Sequence, residues 1–131
     1  MKKIIASVLI LGLILVNSAG AANTVNTRGG KSVIQVSAMD SDFNLVAQTG
    51  FTNHEPAGAP IIAIFFYPGA ANDVLVVEQQ NDAGPVIAKM KSLDGEPRVM
   101  YFQGAKLKPY IDYSDCTLSS GAFVVFFIDT K

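Results

Sequence analysis

Residues 122–128 read Ala-Phe-Val-Val-Phe-Phe-Ile and carry no polar side chain. In a strand, Phe123, Val125 and Phe127 would share one face, and Ala122, Val124, Phe126 and Ile128 the other, because side chains alternate. The stretch is rich in β-branched and aromatic residues and short for a helix, so it is predicted to be a strand. Residues 61–67, Ile-Ile-Ala-Ile-Phe-Phe-Tyr, have the same two-faced character. The two are expected to be central strands of one β structure.

Weaker alternation surrounds them. Residues 32–38 set Ile34, Val36 and Ala38 against Gln35 and Ser37, and residues 43–49 set Phe43, Leu45 and Ala47 against Asn44 and Gln48. Asp40-Ser41-Asp42 is turn composition, and residues 50–60, with Gly, Asn, His, Glu and two prolines, read as an exposed loop. Residues 73–78 and 85–91 flank a polar segment and predict a hairpin; Asp94-Gly95 predicts a turn. Strands are then expected over 98–103 and 107–113, the latter at an edge or bulged because Pro109 cannot donate to a ladder. This spacing of about eight short strands predicts a single antiparallel β-sandwich, jelly-roll or Ig-like, with a small closed β-barrel as the alternative. A membrane barrel fits less well, since it needs apolar-banded strands of about 9–11 residues.

The first 22 residues follow a different pattern. Lys2 and Lys3 precede an apolar run over 4–16, and Ala19-Gly20-Ala21 offers an A-x-A site. That is the layout of a secretory signal peptide, cleaved after Ala21 or Ala22. The run is short of the roughly 20 apolar residues of a spanning helix. The expected organisation is a signal over 1–21, a flexible polar lead-in over 22–31 containing Gly29-Gly30, and a β-sandwich domain over 32–131. The expected location is periplasmic or secreted, in a bacterium.

Charge narrows the partners. The chain has 10 basic and 11 acidic residues; without Lys2 and Lys3 the count is 8 against 11, a net −3. Lys and Arg are scattered, so neither nucleic-acid binding, which needs clustered cations, nor adhesion to anionic lipid is expected. Stable membrane insertion after cleavage is not expected either.

Candidate chemistry is sparse. His54 is the single histidine, which excludes a zinc site built on two or three histidines. Cys116 is the single cysteine, which excludes an intramolecular disulfide. A Cys116–His54 nucleophile pair has no local support, and Cys116 reads first as a small apolar side chain. Asp40-x-Asp42-x-Asn44 imitates the start of a calcium loop, but Leu45 and Phe51 stand where that loop needs Gly and Glu. Asp112 and Asp115 are close enough in sequence to share a cation through a loop, although they read first as a solvated loop. No catalytic residue, resident metal or cofactor is expected, and no G-x-S-x-G or phosphate-binding glycine loop occurs. Lys106, Lys108, Tyr110 and Asp112 would share a strand face suited to a sugar or a base, although lysines also protect sheet edges.

The two-faced strands have one further implication. A sandwich buries one face of each strand and leaves the other to solvent. An interaction face is therefore expected on Val124, Phe126 and Ile128 with Ile62, Ile64 and Phe66, or on the opposite register of Phe123, Val125 and Phe127. The function expected first is that of an exported, non-enzymatic module for protein–protein interaction or structural assembly in the bacterial envelope, meeting a protein partner or a second copy of itself. A small-ligand or carbohydrate-binding protein is the alternative, and a Cys-dependent hydrolase comes third.

The back half carries Asn72-Asp73-Val74-Leu75-Val76-Val77, then Gly84-Pro85, then Lys108-Pro109-Tyr110-Ile111-Asp112 and Cys116-Thr117-Leu118. It resembles small all-β proteins of phage and bacterial genomes that share a strand, a Gly-Pro hairpin, and a late strand before a final apolar one. The resemblance implies an all-β fold and brings no catalytic residues with it.

Overall fold

The structure, a computed structural model, describes residues 23–29 and 32–129. The expected signal peptide lies outside the described residues. Nine strands form among them: β1 (Thr24–Arg28), β2 (Val33–Ser37), β3 (Phe43–Asn44), β4 (Ala59–Tyr67), β5 (Asp73–Gln79), β6 (Val86–Ser92), β7 (Arg98–Leu107), β8 (Pro109–Ile111) and β9 (Phe123–Ile128). One sheet has the order β1-β2-β9-β4-β7 and the other β3-β8-β5-β6, and every pairing between them is antiparallel. The two sheets do not close into a barrel, so the fold is the expected all-β sandwich. No helix among the described residues is long and apolar enough to cross a membrane.

The two strands singled out by pattern are neighbours. β9 lies between β2 and β4, with Ile64 opposite Phe126 and Phe66 opposite Val124. Ile34, Val36, Ile61, Ile64, Phe66, Val124 and Phe126 have no exposure at all. They meet Phe43, Leu75, Val77 and Ile111 from the smaller sheet in one core. Phe126 stacks on Phe43 across the layers, ring centroids 5.7 Å apart. Each such side chain contributes about 1.5–3 kcal/mol by leaving water. A bulge between Ile61 and Ala63 keeps Ile61 and Ile64 both inward and turns Ile62 out.

Four sequence expectations are corrected. Residues 43–49 do not form a full strand: β3 ends at Asn44, and a 3-10 turn over Leu45–Ala47 follows. The turn lets adjacent Leu45 and Val46 both be buried, which a strand would forbid. Residues 24–28, placed in the flexible lead-in, form β1 against β2. Asn23 secures its start, donating to Ser41 O (2.9 Å) and Asp42 O (3.2 Å) and accepting from Asp40 N (3.2 Å). Residues 107–113 are not one strand. The chain leaves the larger sheet at Leu107 and enters the smaller one at Pro109. Lys108 is buried at this crossing, its ammonium 2.8 Å from Glu55 Oε2. Finally, the inward register of β9 is that of Val124, Phe126 and Ile128, so these residues with Ile64 and Phe66 belong to the core and not to an exposed face.

The β5–β6 hairpin depends on one glycine. A Cβ at Gly84 would overlap the carbonyl oxygen of Gln79, so the turn closes only because that atom is missing.

Candidate functional site

Two surfaces carry side chains that the core does not use. The first is the outer face of the five-stranded sheet. Residues directly opposite each other in antiparallel strands share a face, so the register defines rows. Arg28, Val33, Phe127, Ala63 and Tyr101 form one row; Asn26, Gln35, Val125, Phe65 and Val99 form the next. Phe123 and Tyr67 are opposite each other beyond them. The rows are polar over β1 and apolar from β9 to β7.

Phe65 organises the apolar part. Its ring centroid is 5.1 Å from Phe127, 6.4 Å from Tyr101 and 6.5 Å from Tyr67, and Tyr67 stacks on Phe123 at 4.4 Å. These edge-on and offset contacts hold the rings in fixed orientations. Phe65, Tyr67, Phe123 and Phe127 are half-buried, whereas Tyr101 is 67% and Ile62 42% exposed. Of the six residues expected first on an interaction face, Ile62 alone is exposed; the exposed register is the one holding Phe123 and Phe127. The parity was not legible because both registers of both strands are apolar.

The second surface is an acidic cluster on β5. β8 pairs with β5 at Tyr110 opposite Glu78, and the chain then leaves β5 and returns where Thr117 bridges Val74. Residues 111–116 thus arch over residues 75–77. The arch is a 3-10 turn, Tyr113–Asp115, with Asp112 as its N-cap. Asp112 Oδ1 accepts from the Ser114 amide (2.8 Å) and hydroxyl (2.6 Å). Three residues per turn bring positions i and i+3 into line, so Asp112 and Asp115 approach the strand together. One carboxylate oxygen each from Glu78, Asp112 and Asp115 lie within 4.8 Å of one another.

Glu78 is the buried member, 5% exposed, and its Oε2 has no hydrogen-bond partner. Burial first, and then the charges of Asp115 and Asp112, push its carboxyl above the usual range. Tyr110, opposite Glu78, donates its hydroxyl to Asp42 Oδ2 at 3.0 Å. That bond, with burial and the Asp42 charge, pushes the phenol up to about 12.

The expected ligand face is not assembled. Lys106 stays on the larger sheet, Lys108 is buried against Glu55, and Tyr110 and Asp112 belong to the smaller sheet and its arch. Asp112 instead joins Asp115 and Glu78; nothing local in the sequence links Glu78 to either. Cys116 and His54 serve separate places. The thiol accepts from Val76 N (3.4 Å) and donates to Val76 O (3.6 Å), while the imidazole packs on Phe51. Burial first, opposed by the Val76 amide and reinforced by Asp115, Asp112 and Glu78, pushes the thiol up. A cleft of about 280 Å³ lies between Met39, Tyr113 and residues 118–122; it is at the small end of ligand pockets.

The fold and these surfaces define an all-β sandwich with an aromatic sheet face and a carboxylate cluster. Comparison with protein-family models, with curated proteins and with solved structures finds no match.

Proposed function

We propose that this chain is an exported, non-enzymatic β-sandwich module that binds protein through the outer face of its five-stranded sheet, with a second copy of the chain as the partner. The observation that carries this reading is the ordered aromatic group of Phe65, Tyr67, Tyr101, Phe123 and Phe127 on that face. Protein interfaces combine an aromatic, charge-poor centre with a polar rim. The two central rows have that composition, with Asn26, Gln35 and the single charge, Arg28, on the β1 side. A partner for this centre must itself be flat and apolar. A second copy presents such a surface and matches it by two-fold symmetry.

Light scattering on the purified protein at high micromolar concentration tests the reading. The wild type is expected to be a dimer, and Tyr101→Lys, at an exposed position, to be a folded monomer. A strict wild-type monomer that also binds no apolar dye would remove the proposed face.

A further inference from the structure

The acidic cluster is a different surface from the aromatic face, and its argument is independent of the function proposed above. Glu78 comes from the end of β5, and Asp112 and Asp115 from the two ends of the 3-10 turn in the arch. Nothing in the core requires three carboxylates to meet. Asp82 adds a fourth negative charge that acts on Glu78. A buried carboxylate oxygen without a donor is costly, and it is tolerated where a cation or a proton compensates it.

We propose that Glu78, Asp112 and Asp115 form a binding site for a divalent cation, and that the cation is calcium. Two independent features converge on this. The three oxygens are within 4.8 Å of one another, inside the span of two calcium–oxygen bonds of about 2.3–2.6 Å each. Separately, the Glu78 side chain is buried, its Oε2 has no hydrogen-bond partner, and its carboxylate belongs to the same cluster. The donor set is all carboxylate oxygen, which suits a hard cation and not zinc or copper. Calcium accepts six to eight oxygens in irregular geometry, whereas magnesium demands a near-ideal octahedron. The site is built across a strand and an arch, and exposed Asp115 leaves its outer side open to water. Asp112 is already oriented, because Ser114 holds its Oδ1 with two donors.

Bound calcium would hold the arch against β5 where the chain has left the ladder. The role is therefore structural: the cation supplies the attraction that the three carboxylates lack among themselves. Sites of this kind bind calcium in the range of about 0.1–1 mM.

The test is calorimetric titration of the chelator-treated protein with calcium chloride and with magnesium chloride at neutral pH, paired with thermal unfolding. The expected result is one calcium per chain, weaker magnesium binding, and a melting temperature that rises with calcium. Asp115→Asn, an exposed substitution that leaves the core intact, is expected to weaken calcium binding at least tenfold. Glu78→Gln is expected to abolish it while remaining folded without calcium. Three results would overturn the proposal: no binding at 10-fold the expected concentration range, equal binding by wild type and Asp115→Asn, or a melting temperature indifferent to calcium. Magnesium binding as tight as calcium would overturn the assignment to calcium.

Discussion

Ser119 donates its hydroxyl to Asp73 Oδ1 at 2.6 Å, joining positions 46 residues apart. The Ser119 amide (3.0 Å), the Gly69 amide (2.8 Å) and the Ala70 amide (3.3 Å) all donate to Oδ2. Asp73 is buried, and it ties the turn between β4 and β5 to the loop before β9. Burial alone would raise its carboxyl, but the Ser119 hydroxyl and the three amides outweigh burial and hold it below the usual range.

Asp73→Ala strands those donors and is expected to cost roughly 2–5 kcal/mol; Ser119→Ala should cost less, about 1.5–3 kcal/mol. Urea unfolding measures both. Because the folded carboxyl titrates below its ordinary 3.8, its contribution is present above that pH and is lost as pH falls through the folded value. Asp73→Asn should therefore remove part of the acid-side loss of stability. An unchanged acid slope would show that other carboxylates carry it.

The register of β9 is tested by its two adjacent phenylalanines. Phe126 is fully buried against Phe43, whereas Phe127 is half-buried on the outer face. Phe126→Ala is expected to cost about 3–5 kcal/mol. Phe127→Ala should cost clearly less, since its ring loses contact mainly with Phe65. The reverse order in denaturant midpoints would invert the strand.

Tyr110 should ionise late. Its phenol is held up to about 12, first by the hydrogen bond to Asp42 and then by burial. The linked stability is fully present below the unfolded value near 10 and is lost as pH rises through about 12. An ultraviolet titration should resolve a late tyrosine, and Asp42→Asn should bring it back toward its ordinary value of 10.0. A late phase that Asp42→Asn leaves unchanged, or its absence, would mean that the Tyr110–Asp42 bond does not persist in solution.

Cys116 should react slowly with an alkylating reagent. Burial and three neighbouring carboxylates disfavour its thiolate, the reactive form. At neutral pH the folded protein is expected to be modified at least about tenfold more slowly than the urea-unfolded chain. Rapid folded-state modification would revive the reading of a Cys-dependent enzyme.

Much of the sandwich could be read from pattern because its central strands are strongly apolar and its β5–β6 hairpin is local. Residues 61–67 and 122–128 are indeed central and adjacent. Their orientation could not be read, since Phe126 and Phe127 are chemically identical and only the opposing layer, through Phe43, distinguishes them. β1 escaped notice because its sequence, Thr-Val-Asn-Thr-Arg, sends only Val25 toward the core. Lys106 and Tyr110 look like members of one strand face until Lys108 carries the chain from one sheet to the other. Asp112 and Asp115 were visible as a spaced pair. Their third partner was not, because Glu78 reaches them only through non-local pairing of β5 with β8.

The position of β9 also governs when the larger sheet can exist. During synthesis from the N-terminus, β2 and β4 emerge long before the strand that must lie between them. Until residues 123–128 have been made, the two have no common neighbour, and the aromatic face has neither Phe123 nor Phe127. Assembly of this sheet is thus a late event closed by a distant segment, and chains whose contacts are this non-local fold in milliseconds to seconds, not microseconds. The β4–β7 pair and the β5–β6 hairpin are complete in sequence before then, but β2 and β4 still lack the strand that joins them.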